Sequence, residues 1–313
     1  MREILATPGM TRYILDKYGI RARKKYGQNF LINADLIRGI IDAAQITEDD
    51  CVLEIGPGIG SMTQLLSKAA GRVVCVEIDE SLRPVLAETL EDCDNVKIMW
   101  QDILKTDLRK ICEEYNDGKP LKVVANLPYY VTTPILMELL EQKNVFTSIT
   151  VMVQKEVADR IRSGPGSKEY GALSLAVQYF ARPEPALNVS PSNFIPRPSV
   201  DSCVLRLEAY REPPVECSEK VMFALIRAAF NQRRKTLANA ISHGYTLGGK
   251  QYTREEVTGA LDKMGLPPTV RGEALSLEQF AQLSILLDPE NEETLQDNTP
   301  LPASGNAEAQ QSN

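Results

Sequence analysis

At 313 residues the chain is long enough for about two domains, and its 43% hydrophobic content is ordinary for a soluble enzyme. No run approaches the roughly 18 apolar residues that a membrane helix requires, and no apolar signal region follows the N-terminal bases, so we expect a cytoplasmic protein that contacts no membrane. The six cysteines include no C-x-x-C pair, which argues against zinc and predicts reduced thiols and no metal site.

The net charge of −7 is unevenly distributed along the chain. Residues 1–28 contain seven Lys and Arg against two acids, and this basic arm, with Arg23, Lys24 and Lys25, suits contact with the phosphates of a nucleic acid. A merely solvated basic segment is the alternative. Residues 288–313 hold six acids and no Lys or Arg, together with many Asn, Gln, Pro and Ser, so we predict a disordered acidic tail.

A glycine turn joins the first predicted strand of the main domain to a helix. The apolar run Cys51-Val52-Leu53-Glu54-Ile55 leads into Gly56-Pro57-Gly58-Ile59-Gly60, after which apolar residues recur with helical spacing. Glycines permit a tight turn and a close approach of the backbone to a ligand. Ser61 stands where a dinucleotide fingerprint has its third glycine, which weakens an NAD interpretation.

Acidic residues follow the next two predicted strands. The strand Arg72–Val76 is followed by Glu77, which stands where an acid that binds ribose hydroxyls is found in a βαβ unit. The strand Val96–Trp100 is followed by Gln101 and Asp102. Each acid alone is more simply interpreted as a helix N-cap or a solvated loop end. Together they favour a ligand site at the carboxyl edge of a parallel sheet.

The tetrapeptide Asn126-Leu127-Pro128-Tyr129 ends the apolar run that begins at Lys122. Adenine's amino nitrogen is a poor nucleophile, and acceptors for its N–H groups prepare it to attack a methyl donor. The Asn126 side-chain oxygen can be one acceptor, and a main-chain carbonyl of the same turn can be the second. Tyr129 offers a flat face for stacking of the base. The motif suggests adenine N6 methylation, although a strand followed by Asn-x-Pro is also an ordinary exit into a turn.

Further strands and a domain boundary follow in the sequence. Ser148–Gln154 predicts a strand that leads into a helix around Val157–Ile161, and Ala172–Phe180 and Cys203–Leu207 predict the final antiparallel pair of the sheet. The dipeptide Pro213-Pro214 marks the boundary to a second domain.

Helical patterns characterise this second domain. They run from about 218 to 241, 253 to 264 and 276 to 287, and the last two open with capping boxes at Thr253 and Ser276. The first of these predicted helices carries Arg233, Arg234 and Lys235, which we interpret as a grip on the RNA backbone. A solvated charged helix face is the alternative.

Taken in order, these motifs resemble those of the KsgA (RsmA) family of ribosomal RNA adenine dimethyltransferases, from about Tyr26 to about Leu287. The matching segments are Gly27-Gln28-Asn29-Phe30-Leu31, Glu54 to Gly60, Glu77-Ile78-Asp79, Asp102, Asn126 to Tyr130, Asn193-Phe194-Ile195-Pro196-Arg197-Pro198 and Phe230 to Leu237. The glycine turn alone is weak support, whereas the ordered set is specific.

The resemblance implies a cofactor, S-adenosyl-L-methionine, and a role for each matching residue. Asn29 and Leu31 would contact the methionine end of the donor, Gly56 would approach its carboxylate region, Glu77 would bind the ribose hydroxyls and Asp102 the adenine amino group. Asn126 would serve both donor and acceptor. Phe194 would cover the second face of the target adenine, opposite Tyr129.

The expected fold is therefore a Rossmann-like class I methyltransferase domain with a smaller all-helical C-terminal domain. We divide the chain into the basic arm 1–28, the methyltransferase domain 29–212, a helical RNA-recognition domain 213–287 and the tail 288–313. The resemblance implies dimethylation of N6 on two adjacent adenosines in the loop of the 3′-terminal hairpin of 16S rRNA, in the small ribosomal subunit or its precursor, by a monomer. An Erm-type enzyme that methylates 23S rRNA and a non-catalytic ribosome-assembly factor are the alternatives.

Overall fold

A computed structural model describes residues 3–20, 28–243, 246–247 and 250–288. The chain divides into two compact units, the first ending at Pro214 and the second beginning at Val215. The division falls directly after the diproline of the sequence. None of the helices in the described ranges is long and apolar enough to cross a membrane.

The first unit contains a sheet of seven strands. They are β2 (Cys51–Ile55), β3 (Arg72–Glu77), β4 (Val96–Trp100), β5 (Leu121–Asn126), β6 (Phe146–Gln154), β7 (Ala181–Val189) and β9 (Ser202–Ala209). The spatial order is β4-β3-β2-β5-β6-β9-β7. The first five strands of that order are parallel, and β9 pairs antiparallel with both β6 and β7.

Among the described residues of the first unit, eight α-helices accompany this sheet. They are α1 (Pro8–Lys17), α2 (Ala34–Ala43), α3 (Thr63–Ala69), α4 (Arg83–Thr89), α5 (Leu108–Tyr115), α6 (Thr132–Glu141), α7 (Lys155–Arg162) and α8 (Ala172–Phe180). Alternate residues of β2 belong to different apolar clusters, because successive strand side chains point to opposite faces. Leu53 packs with residues of α5 to α8, and Val52 packs with residues of α2 and α3. Helices therefore cover both faces, as expected for a doubly wound α/β fold.

In the described part of the first unit, two strands of two residues lie outside the main sheet. Phe30–Leu31 (β1) pairs antiparallel with Phe194–Ile195 (β8), so that Leu31 lies opposite Phe194. The pair is extended by a hydrogen bond from the amide of Ile32 to the carbonyl of Asn193, at 3.0 Å. Segments about 160 residues apart in the chain are thereby joined.

The prediction that Ala172–Phe180 is a strand is wrong, since these residues form α8. Most of its side chains are buried, so its apolar pattern has no polar face and does not distinguish a helix from a buried strand. The true partner of β9 is the next segment, β7, which contains Pro183 and Pro185. Proline lacks the amide hydrogen that a central strand needs on both sides. Because β7 is the edge strand of the sheet, it tolerates proline.

The second unit is mainly helical, with α9 (Glu219–Asn231), α10 (Leu237–Ser242), α11 (Arg254–Lys263) and α12 (Leu277–Leu286), and it includes the short strands β10 (Thr246–Leu247) and β11 (Lys250–Gln251). Both predicted capping boxes are present, at the starts of α11 and α12. The continuous helix predicted to about residue 241 is wrong. The chain leaves the helix after Asn231, and α10 begins at Leu237 after its N-cap Thr236, whose hydroxyl accepts a hydrogen bond from the amide of Asn239 at 3.4 Å.

The predicted basic arm contains a helix that the sequence analysis did not predict. Residues 8–17 of the basic arm form α1, with Ile14 buried against Phe30, Ile59 and Val85. Arg23, Lys24 and Lys25 lie outside the described residues, and so does the acidic tail beyond Asp288.

No disulfide joins any of the six cysteines, which all lie within the described residues, and Cys51, Cys75, Cys112 and Cys203 are buried. Burial raises the pKa of Cys51 to about 11, so its thiol stays protonated at neutral pH.

Candidate active site at the carboxyl edge of the sheet

A cavity of about 300 Å³ opens where β2, β3 and β5 end. Its walls include the glycine turn after β2, the residues after β3 and β4, the end of β5 and the segment before α2. Among the lining residues are Asn29, Leu31, Glu54, Gly56, Glu77, Ile78, Asp102, Leu104, Asn126 and Tyr130. Every residue that the sequence assigned to the donor therefore lines one cavity.

The glycine turn after β2 needs its glycines for backbone conformation. Gly56, Gly58 and Gly60 have φ angles of +69°, +60° and +89°, which side chains rarely allow. A Cβ at Gly56 would meet nothing within 4 Å, so this residue leaves an open surface on the cavity. The turn can therefore place main-chain atoms directly against a ligand.

Glu77 is held by main-chain donors on both carboxylate oxygens. It accepts a hydrogen bond from the amide of Asp79 at 2.8 Å and one from the amide of Gly58 at 3.3 Å. Burial raises the pKa of Glu77, and the hydrogen bonds from Asp79 and Gly58 oppose that rise. Each oxygen can accept a further bond, so the fixed carboxylate can bind a pair of ribose hydroxyls.

Asp102 begins a 3-10 turn over Ile103–Lys105, and its Oδ1 accepts from the amide of Leu104 at 3.0 Å. The simple interpretation of this acid as a cap therefore holds. A cap does not exclude binding of the donor's adenine amino group, because the cap uses one carboxylate oxygen and Asp102 also lines the cavity.

Asn126 is oriented by a contact from a distant part of the chain. Its Nδ2 donates to the main-chain oxygen of Asn29 at 3.0 Å. This bond uses one of the two N–H groups of Nδ2 and fixes the orientation of the amide, whose Oδ1 is the atom that can accept a hydrogen bond in the cavity. Asn29 directly precedes β1, so the pairing of β1 with β8 fixes the carbonyl that orients Asn126.

Tyr129 and Phe194 are not among the described residues that line the cavity. The Tyr129 ring is half-buried, and its hydroxyl lies 2.7 Å from Ser202 Oγ. Phe194 is only 1% exposed and packs in the cluster of Leu31 and Val189. Stacking of a base on Phe194 would require this side chain to leave that packing, and the stacking roles of both rings stay predictions.

Glu54 is a buried acid to which the sequence analysis gave no role. It is 1% exposed, lines the cavity, and has Oε1 without a hydrogen-bond partner among the described residues. Burial raises its pKa to about 7. The sequence did carry a signal for this residue, because Glu54 is an acid within an otherwise apolar strand that leads into a glycine turn.

Three exposed apolar side chains at the cavity were also missed. Ile78 and Leu104 are 49% and 38% exposed, and each stands one or two residues after a predicted donor-binding acid. Tyr130 is 61% exposed, beside the half-buried Tyr129. Flat ligand rings bind well against such surfaces, so a purine could pack here.

In the second unit, Arg233, Arg234 and Lys235 lie in the turn between α9 and α10, not on a helix as predicted. All three are exposed. Arg233 forms an ion pair with Glu273 at 3.1 Å. No group of three or more metal-binding side chains occurs within the described ranges.

Comparison with known proteins places the chain in a family. A family model described as ribosomal RNA adenine dimethylase matches residues 19–283. The chain belongs to this family. Ribosomal RNA small subunit methyltransferase A of Lachnoclostridium phytofermentans is 53% identical over 286 residues, which cover 91% of this chain and 98% of that protein. The enzyme of the same name from Geobacillus thermodenitrificans is 47% identical over 291 residues, covering 92% and 99%.

Two solved structures resemble this member of the dimethylase family. The 23S rRNA methyltransferase ErmE is 26% identical with a TM-score of 0.60, over 83% of this chain and 99% of that one. A dimethyladenosine transferase from Plasmodium falciparum is 24% identical with a TM-score of 0.66, over 81% and 95%, and shows the fold alone. The Rossmann-like fold expected from the sequence is confirmed.

Proposed function

We propose that this protein transfers methyl groups from S-adenosylmethionine to N6 of two adjacent adenosines in the 3′-terminal hairpin loop of 16S rRNA, within the small ribosomal subunit or its precursor. The observation that carries the proposal is the orientation of Asn126, whose amide nitrogen is held by Asn29 so that its oxygen can accept from an adenine amino group. The same cavity holds the acids and the glycine turn expected for the donor.

The residues of the cavity fit the proposed donor. Glu77 offers two fixed carboxylate oxygens to ribose hydroxyls, and Asp102 and the apolar Ile78 and Leu104 suit the donor's adenine. Gly56 leaves room for the methionine end to approach the main chain. When bound, S-adenosylmethionine supplies a methyl group already activated by its sulfonium.

The turn after β5 supplies acceptors for the amino group. Asn126 Oδ1 accepts one N–H. The carbonyl of Leu127 is the second acceptor, since the carbonyl of Pro128 already accepts from the amide of Val131 at 3.2 Å and the hydroxyl of Thr132 at 3.0 Å. Two acceptors draw the nitrogen lone pair out of conjugation and stabilise positive charge as it develops. Placement of the amine in line with the methyl group supplies the remaining acceleration.

Release of the proton needs no dedicated base in this scheme. The methylated amine is acidic enough to lose its proton to water, and the chain's one histidine, His243, belongs to the second unit. A second methylation requires the N-methyl group to rotate away from the donor while Asn126 keeps one N–H. That capacity is part of the proposal and rests on the family.

RNA recognition in this proposal includes the turn between α9 and α10. Arg234 and Lys235 are exposed there, next to the Arg233 that pairs with Glu273. Neutralising all three bases should weaken subunit binding and reduce the log-log salt slope by roughly 0.7 to 0.9 for each lost phosphate contact. An unchanged slope would assign the three bases to a solvated turn.

The deciding experiment is methyl transfer to unmethylated small and large ribosomal subunits, each with isotope-labelled donor, followed by mapping of the modified nucleotides. We expect up to two methyls on each of two neighbouring adenosines of the small subunit. The large subunit should accept none. Size-exclusion chromatography should show a monomer.

Two results would replace the proposal. Methyls on one adenosine of the large subunit would favour the Erm-type alternative, which shares the acceptor motif but whose solved relative is only 26% identical. Binding to small subunits with no transfer to either substrate would favour an assembly factor without catalysis. The named relatives at 47% and 53% identity support the small subunit.

A further inference from the structure

The hydroxyl of Tyr129 is tied to a buried serine of the sheet. Tyr129 Oη and Ser202 Oγ are 2.7 Å apart, and Ser202 is 1% exposed. Either oxygen can donate, so the bond forms whichever way the two hydroxyl hydrogens turn. Burial raises the pKa of the Tyr129 hydroxyl, against the effect of Ser202, so the phenol stays protonated at neutral pH.

Ser202 is a fixed point because it begins β9 between two neighbouring strands. It lies opposite Gln154 of β6 on one side and Val189 of β7 on the other. A residue paired on both sides of an antiparallel ladder has little freedom of backbone movement. Its Oγ can therefore serve as a rigid anchor.

The Tyr129 ring is consequently held at both ends. Its Cβ is fixed by the turn after β5, where the carbonyl of Pro128 accepts from Val131 and Thr132. Its hydroxyl is fixed by Ser202. A tyrosine side chain has two rotatable bonds, and anchoring both ends restricts both. Tyr130 shows the contrast, because its ring is 61% exposed.

We propose that Ser202 is a positioning residue for methyl transfer, which holds the Tyr129 ring at the angle at which the target adenine stacks, and acts only through the Tyr129 hydroxyl. This inference rests on the proposed function and on the predicted stacking of the target adenine against Tyr129. The ring angle decides whether the amino group meets both acceptors of the turn, so the effect falls on the chemical step.

A purely structural role for Ser202 makes different predictions. If the Ser202 hydroxyl only stabilised the sheet, its loss would lower the free energy of unfolding. The effect of that loss on methylation would then not depend on the Tyr129 hydroxyl. If it positions the ring, Ser202→Ala and Tyr129→Phe remove the same bond and should have the same kinetic effect. The two changes should then be strongly non-additive.

The test compares Ser202→Ala, Tyr129→Phe and the double variant in single- and multiple-turnover methylation of small subunits. Each single change should lower kcat by about two- to tenfold, the range that one hydrogen bond commonly contributes. The KM for subunits and the affinity for S-adenosylhomocysteine should stay unchanged. The double variant should lose no more than either single variant, and Ser202→Thr, which keeps a hydroxyl, should restore the rate.

Ser148→Ala is the matched control. Ser148 is also 1% exposed, lies on β6 opposite β9, and stands near the end of the ladder away from Gln154. Its Oγ has no hydrogen-bond partner among the described residues. This variant should methylate at the rate of the unchanged protein.

The outcomes separate the two proposals. Multiplicative losses in the double variant, or full activity of Ser202→Ala, would overturn the positioning role and leave the proposed function intact. Loss of activity in Ser202→Ala together with full activity of Tyr129→Phe would show a structural role. No transfer by the unchanged protein would overturn the proposed function itself, and the positioning role with it.

Discussion

The two edges of the parallel sheet differ in how their acidic side chains are paired. At the amino edge, Lys122 of β5 donates to Asp50 Oδ2 at 2.8 Å and to the main-chain oxygen of Gln45 at 2.6 Å. At the carboxyl edge, Glu54 is the second-last residue of β2 and Glu77 is the last residue of β3, and both acids are more than nine-tenths buried. The amino edge thus carries a paired charge beside β2 and β5, whereas the acids at the carboxyl ends of β2 and β3 form no ion pair among the described residues.

The pKa values of these acids follow from their surroundings. Burial opposes ionisation of Asp50, but the bonds from Lys122 and Thr47 outweigh it and lower the pKa. At Glu54, burial dominates and raises the pKa to about 7. The ion pair of Asp50 at the amino edge therefore contributes to the stability of the fold. At the carboxyl edge, folding disfavours the charged form of Glu54. Such groups are typical of functional sites.

The largest effect should come from Asn126→Ala at the carboxyl edge. Loss of a preorganised acceptor should lower the rate of transfer about 100- to 1,000-fold at saturating donor. Affinity for S-adenosylhomocysteine, measured by calorimetry, should change little. Asn116→Ala is the control at the opposite end of β5, because Asn116 Nδ2 also donates to main-chain carbonyls, those of Lys119 and Pro120. Equal rate losses in both variants would contradict the role of Asn126.

The second prediction concerns pH and Glu54. Folding raises its pKa from the ordinary 4.5 to about 7, so its contribution to stability is fully present below pH 4.5 and is lost as pH rises to 7. Glu54→Gln does not titrate. Relative to this variant, the free energy of unfolding of the unchanged protein should fall by on the order of 3 kcal/mol across that window.

Urea unfolding at several pH values measures this difference. If the stability curves of the two proteins run parallel from pH 4.5 to 8, Glu54 does not titrate as proposed. Bound donor is left out of these measurements, since a ligand that binds the folded state changes stability by mass action.

Two glycines give the third prediction. Gly71→Ala at the amino edge would press a Cβ against the carbonyl oxygen of Glu48, and should destabilise the fold by about 1 to 3 kcal/mol. Gly56→Ala meets open space but has a φ of +69°, and should lose about 1 to 2 kcal/mol. Only Gly56→Ala should weaken binding of S-adenosylhomocysteine. Equal affinities in the two variants would show that the glycine turn does not approach the donor.

The smallest effect is expected for Asp50→Asn, about 1 kcal/mol of stability at pH 7, with methylation unchanged. Because the pKa of Asp50 is lowered on folding, its contribution is present above the ordinary value of 3.8 and is lost as pH falls through the folded value. Stability of the unchanged protein should therefore converge with that of the variant in acid, the opposite of the trend at Glu54. A difference that does not diminish as pH falls below 3.8 into strong acid would contradict the ion pair with Lys122.

Local patterns were enough to predict β2 to β5 and the edge where the site lies. These strands are continuous apolar runs that end in turn residues, and a parallel sheet presents their ends together. The pattern failed at α8, because its side chains are buried on nearly all sides and show no helical periodicity. It also failed at β7, because Pro183 and Pro185 argue against a strand anywhere except at the edge of a sheet. It failed again after Asn231, where the cap at Thr236 starts a new helix.

The finer geometry of the site depends on contacts between distant residues. The bond from Asn126 to Asn29 joins positions 97 residues apart, and the pair of Tyr129 and Ser202 joins positions 73 apart. Neither partner carries a local signal for such a contact. Phe194 is buried because it lies opposite Leu31 in the β1–β8 pair. Each strand of this pair has only two residues, which is too short for a sequence pattern to predict it.

That short pair also has a consequence for synthesis on the ribosome. The carbonyl of Asn29 is positioned by a strand whose partner, Phe194–Ile195, is translated some 160 residues later. Domains fold as their parts emerge, and a pairing of such separation must await its second half. A nascent chain that has completed β2 to β5 would already possess the glycine turn and both acids, yet its Asn126 would not be oriented. The growing polypeptide should therefore complete the glycine turn and the two acids of the donor site well before it acquires the ability to methylate.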